Sequence, residues 1–90
     1  MNEKSFKEYL SEMLEVAQKY QRRLMWSEDI NISIDASVYN GKLFCTIYCH
    51  TYKYGELSNT ARFEISGLSS IDEVGLQMAE LTEYLLPYLP

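Results

Sequence analysis

The chain has 90 residues, of which 47% are hydrophobic and 23% charged, a balance typical of a globular protein with room for one core. We therefore expect a single domain over residues 1–90. An acidic formal charge of −5 at pH 7 disfavours nucleic acid and anionic lipid surfaces as partners.

A capping box, Ser5-Phe6-Lys7-Glu8, predicts the start of the first helix, because the serine hydroxyl can accept from the backbone N–H of Glu8. Apolar residues then recur at steps of three or four over about five turns, which indicates one buried stripe. The stripe consists of Phe6, Leu10, Met13, Ala17, Tyr20 and Leu24. It fades at Met25-Trp26, and the segment 27–29 predicts a turn.

The pattern changes to strict alternation at Ile30, which predicts a half-buried strand up to residue 38. Asn40-Gly41 then supplies the residue types of a type I′ turn, the strongest short-range signal for a β-hairpin. A two-residue turn pairs Tyr39 with Lys42 and fixes the register of both strands. In this register every inward pair is apolar: Val38 with Leu43, Ala36 with Cys45, Ile34 with Ile47, and Ile32 with Cys49.

Segment 54–56 predicts a looser connection, followed by a third alternating strand from Thr60 to Ser66 with Ala61, Phe63 and Ile65 inward. Ser69-Ser70 predicts the cap of a second helix. Pro87 ends that helix, and Gly75 allows a close approach to a neighbouring element. The apolar stripe of the second helix is predicted to comprise Ile71, Val74, Met78, Leu81 and Leu85.

The elements therefore follow the order helix, strand, strand, strand, helix. Only one face of each strand is apolar, so the helices must cover that same face. The predicted fold class is α+β, a two-layer structure in which a three-stranded antiparallel sheet carries two helices on one face. The other sheet face is left to water or to a partner.

This order resembles that of the double-stranded-RNA-binding domain over most of the chain. The resemblance implies RNA contacts through the first helix, the first hairpin loop and a lysine-rich start of the last helix. Here those places hold Lys4 and Lys7 among acids, a lone Lys42, and Asp72-Glu73. Acids at the last helix start would repel phosphates, so no functional residue carries over from that family.

Both cysteines and the one histidine of the chain lie on the second strand. Cys45 and Cys49 point inward, about 13 Å apart at ~3.3 Å per residue, which is too far for a disulfide or for one metal ion. His50 points to the opposite face, so we expect no metal site.

Two cysteines are too few for a disulfide framework, and the polar, acidic start of the chain lacks the features of a secretory signal. We expect a cytoplasmic protein.

No catalytic constellation emerges from the pattern. On the outer sheet face His50 lies opposite Asn31, and Asp35 is roughly 13 Å farther along the sheet, whereas a hydrolytic triad needs contacts near ~3 Å. Acidic residues of the second helix are better explained as a solvated helix face, and no glycine-rich phosphate loop is present. We expect no catalytic, cofactor-binding or metal residues, no cofactor, and no enzymatic activity.

The outer sheet face carries the most information about function. It is predicted to present Tyr39, Phe44, Tyr48, His50, Tyr52 and Arg62. These side chains either form a binding surface or simply pair across strands on an exposed face. The apolar C-terminal tail with Tyr88 and Leu89 is a second candidate surface, which either folds back on the core or packs on another subunit.

The favoured hypothesis is a small acidic module for protein–protein interaction or regulation, which self-associates as a homodimer or binds another protein through the aromatic face or the tail. The main alternative is nucleic-acid binding, with single strands stacked on Tyr48 and His50 beside Arg62. A third alternative is an enzyme whose site is shared across a dimer interface. We expect no membrane partner, and the sequence identifies no small-molecule substrate.

Overall fold

The computed structural model describes residues 5–89. Within this range the chain forms a two-layer α+β structure, with one three-stranded antiparallel sheet and two α-helices packed on one of its faces, as predicted. The elements are α1 (Phe6–Arg23), β1 (Ile30–Tyr39), β2 (Lys42–Lys53), β3 (Glu56–Ser66), α2 (Ile71–Leu85) and a final 3-10 turn (Leu86–Tyr88).

The first helix begins where the capping box predicts. The Ser5 hydroxyl accepts from the N–H of Glu8 at 3.2 Å and so satisfies one of the free amide groups of the first turn. Leu10, Ala17 and Leu24 of the apolar stripe are buried in the core. The rest of the stripe is partly buried against that core.

The first hairpin has the predicted register. Asn40 and Gly41 adopt positive φ values of 51° and 72°, as a type I′ turn requires. Tyr39 pairs with Lys42, and the pairing continues without a shift to Ile30 opposite Thr51. Turn chemistry and apolar pattern thus agree on one register, because a slip of one residue would expose the core face.

The far end of this hairpin corrects one expectation. Ala36 and Val38 continue the inward alternation of β1, but both are exposed, and Val38 keeps 72% of its surface in solvent. A groove, not packed side chains, separates Val38 from Phe6 and Leu10 at the start of α1. The inner face of the sheet therefore extends beyond the part that the helices bury.

The second connection also differs from the expected loose loop. Tyr54 and Gly55 form a tight reversal with φ values of 55° and 79°, and Lys53 pairs with Glu56. Strand β3 therefore begins at Glu56, earlier than the predicted Thr60. The register of β2 with β3 shifts between Thr51 and Tyr52, whose partners are Asn59 and Leu57, so Ser58 is an extra, unpaired residue of β3.

The second helix begins at the predicted cap, where the Ser70 hydroxyl accepts from the N–H of Glu73 at 3.1 Å. Val74 is the first buried residue of its stripe. The stripe predicts a buried Ile71, but this residue, the first of the helix, keeps 53% of its surface exposed. The helix ends at Leu85, before Pro87.

Candidate interaction surface

The outer face of the sheet carries a line of rings along its central strand, which we call the aromatic row: Phe44, Tyr48, His50 and Tyr52. Each of these side chains is partly buried by its neighbours. The rings of Tyr48 and His50 stack with centroids 6.3 Å apart and planes inclined by 7°. No helix or strand formed by residues 5–89 covers this face, so the ring faces remain available for contact.

Hydrogen bonds and strand pairing fix the centre of the row. The Nδ1 atom of His50 lies 3.0 Å from the Thr60 hydroxyl, its partner across the β2–β3 pair. Tyr48 is paired with Arg62 on β3 and with Ser33 on β1. Polar side chains of the edge strands, Ser33, Thr60 and Arg62, therefore flank Tyr48 and His50.

Charges on the outer face balance one another. Lys42 and Arg62 contribute positive charge, and Asp35 and Glu64 contribute negative charge. The Arg62 guanidinium donates to the Glu64 carboxylate at 2.6 Å, and this ion pair is largely exposed. The face is therefore close to neutral although the chain carries −5.

Both sheet edges are partly engaged by the helix layer. Gln21 of α1 donates to the carbonyl of Ile32 on β1 at 3.0 Å. On the opposite edge, Gln77 of α2 accepts from the N–H of Glu64 on β3 at 3.0 Å. These contacts satisfy backbone groups that an edge strand would otherwise offer to another chain.

The eight residues of the two candidate surfaces lie on different sides of the sheet. Tyr39, 70% exposed, lies on the outer face at the tip of the first hairpin, and Arg62 lies beside the aromatic row. Tyr88 and Leu89 instead pack on the core, on the helix side of the sheet. The Tyr88 ring lies 6.4 Å from that of Tyr84, which in turn contacts the inward-facing Phe63. Of the two alternatives for the tail, these residues follow the folded-back one.

The cysteines lie on the opposite side of the sheet from His50. Cys45 and Cys49 are free and buried in the core. Burial raises the pKa of Cys49 from 9.0 to about 11, and burial together with the charge of Asp35 does the same for the pKa of Cys45. Both thiols are therefore protonated near neutral pH, which makes them weak nucleophiles and weak metal ligands.

Within residues 5–89, no three or more His, Cys, Asp or Glu side chains come together in a way that could hold a metal ion. His50 has a threonine as its neighbour on β3 and Asn31 as its partner on β1. Over the same range, neither helix combines the length and hydropathy needed to cross a bilayer.

Sequence reasoning placed the aromatic row correctly but missed two contacts around it. The Thr60–His50 contact follows from the β2–β3 register. That register depends on the turn at Tyr54, which the sequence indicates only as a loose connection, because tyrosine rarely adopts the positive φ of a tight turn. The Arg62–Glu64 pair has a detectable signal, since residues two apart on a strand project from the same face.

No protein-family model, no curated protein and no solved structure matches this chain. Its likeness to the double-stranded-RNA-binding domain is therefore one of element order, and the surface itself carries the functional argument.

Proposed function

We propose that this protein is a non-catalytic interaction module that self-associates by packing the outer sheet face of one copy against that of another. The observation that carries the proposal is the aromatic row on an uncovered sheet face. Aromatic rings bury a large area at a low cost in side-chain entropy and are enriched in protein interfaces. The two free cysteines are compatible with a reducing, cytoplasmic compartment.

The charge balance of the face favours a second copy of the chain as the partner. Two molecules of charge −5 repel one another at long range. The outer face, however, carries two basic residues, Lys42 and Arg62, and two acidic residues, Asp35 and Glu64, so contact between two such faces brings together no excess of like charge. Opposed copies can also place Arg62 of one face near the acids of the other, since a two-fold interface is self-complementary.

The geometry favours packing through the face over pairing through the edges. Gln21 and Gln77 already bind backbone groups of β1 and β3, so extension of the sheet by another strand would displace these contacts. Packing of two sheets face to face, about 10 Å apart, leaves them intact.

The size of the face predicts a weak, reversible dimer. Ten residues at ~3.3 Å and three strands at ~4.8 Å give a footprint of roughly 33 by 14 Å. That is about 450 Å² per partner, which is below the ~800 Å² of a standard stable interface. We expect dissociation constants in the micromolar range or weaker.

The nucleic-acid alternative has less support. The cation beside the aromatic row, Arg62, is engaged by Glu64 at 2.6 Å and would have to leave that carboxylate to bind a phosphate. Asp35 lies on the same face and would add repulsion.

The test is size-exclusion chromatography with light scattering over a range of protein concentrations. The Tyr48→Ser, Tyr52→Ser double variant should raise the dissociation constant about a hundredfold, as loss of central aromatic contacts does in other interfaces. Its circular dichroism should stay unchanged because both side chains face away from the core. The matched control is Tyr54→Ser, which changes a fully exposed tyrosine at the turn outside the row. A wild type that stays monomeric at millimolar concentration would refute the proposal.

A further inference from the structure

A groove of about 680 Å³ lies on the inner face of the sheet, at the end where the first hairpin extends past the helix layer. We call it the hairpin groove. One wall is formed by the start of α1, the other by the tip of the β1–β2 hairpin, and Gly67 lies beside Lys42 and Leu43 of that hairpin. Its apolar lining consists of Phe6, Leu10, Leu14, Val38 and Leu43.

The groove is lined in part by apolar side chains that are not fully buried in the folded core. Val38 sits on the core side of β1, yet it is 72% exposed because nothing among residues 5–89 covers it. Leu43, its partner across the hairpin, is only partly buried. Apolar side chains thus continue along the inner face past the point where helix packing accounts for them. An apolar concavity of this size falls in the range of sites for small molecules, roughly 300–1,000 Å³.

The charge around the groove is opposite to that of the whole chain. The described residues that line it include two lysines, Lys7 and Lys42, and no carboxylate. The chain as a whole has 13 acidic and 8 basic residues, so a cationic, acid-free lining is unusual for this protein. The uncharged polar residues of the lining have short side chains: Ser5, Ser11 and Asn40.

We propose that the hairpin groove binds an amphiphile with one unbranched apolar chain and one anionic head, such as a free long-chain carboxylate. The chain would lie against Phe6, Leu14 and Val38, where it would cover apolar surface now in water. The head would lie at the rim, within reach of the lysine ammonium groups.

A peptide fits less well, because the lining offers few polar groups to satisfy a peptide backbone. Apart from Lys42, which borders both surfaces at the hairpin tip, the lining lies on the side of the sheet opposite to the aromatic row, so binding does not require the proposed self-association.

The experiment is a titration with dodecanoate below its micelle concentration, followed by calorimetry and by the NMR shifts of the Gly41 and Gly67 amides, which both line the groove. Dodecanoate should bind and shift both amides. Dodecyltrimethylammonium has the same chain and the opposite charge, and it should bind at least about tenfold more weakly if the lysines hold the head. Equal affinity for the two amphiphiles, or shifts that avoid both glycines, would overturn the proposal.

Variants separate the contribution of the head from that of the chain. Changing Lys7→Gln and Lys42→Gln together should weaken dodecanoate about tenfold, whereas Lys53→Gln, on the last residue of β2 and outside the groove, should leave it unchanged. Val38→Asp places a carboxylate in the groove at a position already exposed, so it should abolish binding without unfolding the protein. Retained affinity in the Val38→Asp variant would contradict the assignment.

Two other occupants give distinct results, and either would overturn the proposal. If a second copy fills the groove, the methyl groups of Leu14 and Val38, on the inner face, will shift with protein concentration in the absence of ligand. If the groove contacts membrane lipid, anionic phospholipid vesicles will shift the Gly41 and Gly67 amides while free dodecanoate does not.

Discussion

Gly75 of α2 faces the hydroxyl of Tyr9 on α1 so closely that a Cβ atom at Gly75 would lie 3.2 Å from the Tyr9 oxygen. Glycine thus permits the approach of the helices at this point. Replacing a helical glycine by alanine gains roughly 0.5–1 kcal/mol of stability where space allows. We predict that Gly75→Ala changes the free energy of unfolding by less than about 0.5 kcal/mol, because the crowded contact offsets that gain.

The control is the same substitution in a Tyr9→Phe background, which removes the hydroxyl. There Gly75→Ala should stabilise the protein by about 1 kcal/mol, measured by urea unfolding. Equal effects in the two backgrounds would show that the hydroxyl does not limit packing at this position.

Opposite substitutions in the two hairpin turns should change the stability of the protein in opposite directions. Asn40 and Tyr54 both have positive φ, 51° and 55°, and each is followed by a glycine. Asparagine tolerates this conformation far better than tyrosine does, and the Tyr54 side chain is fully exposed. Tyr54→Asn should therefore stabilise the protein by about 0.5–1 kcal/mol, and Asn40→Tyr should destabilise it by a similar amount. Thermal unfolding midpoints that move in the same direction for both variants would contradict this explanation.

These turns also show how far the fold was predictable. The first hairpin could be predicted because Asn40-Gly41 and the apolar pairs independently specify one register. The second could not, because a tyrosine in the left-handed region is disfavoured locally and is held there by the strands on either side. Tertiary pairing overrode local preference at Tyr54, which the sequence pattern does not report.

Burial of Cys45 and Cys49 predicts a loss of stability at alkaline pH. The thiol pKa values are about 11 in the folded protein and 9.0 without burial, so between these values the unfolded chain binds fewer protons than the folded one. The free energy of unfolding should then fall as the pH rises from about 9 to about 11, while below pH 9 this contribution is fully present.

The measurement is urea unfolding over this pH range, under reducing conditions, for the wild type and the Cys45→Ala, Cys49→Ala variant. Tyrosines and lysines titrate in both proteins, so the difference in slope reports the thiols. The variant should be less stable at neutral pH but should lose less stability on going to pH 11. Parallel curves would show that the thiols ionise equally in both states.

Salt distinguishes self-association from nucleic-acid binding. Copies that carry −5 each repel one another through solvent, and added salt screens that repulsion. Dimerisation should therefore strengthen, on the order of threefold, between low and physiological ionic strength. Binding of an oligonucleotide would weaken over the same range. Sedimentation velocity at two salt concentrations measures the sign of the effect.

The sequence predicts which sheet face carries the aromatic row, but it does not predict how much of the sheet the helices leave uncovered. Alternation along β2 places Phe44, Tyr48 and Tyr52 on the face opposite to the cysteines, and the structure has them there. The position of Tyr88 depends on its contact with Tyr84, which is set by the packing of α2 on the sheet, and Leu89 packs on the core beside it. Sequence spacing does not encode how far a helix layer extends over a sheet, and this is also why the exposure of Val38 was not foreseen.

The most direct test of the central claim is an isotope-filtered NOE experiment on a mixture of labelled and unlabelled protein at high concentration. Packing of the outer faces predicts intermolecular NOEs among ring protons of Phe44, Tyr48 and Tyr52. These cross-peaks should vanish in the Tyr48→Ser, Tyr52→Ser variant. Intermolecular NOEs confined to the helices, or none at all at millimolar concentration, would contradict the account.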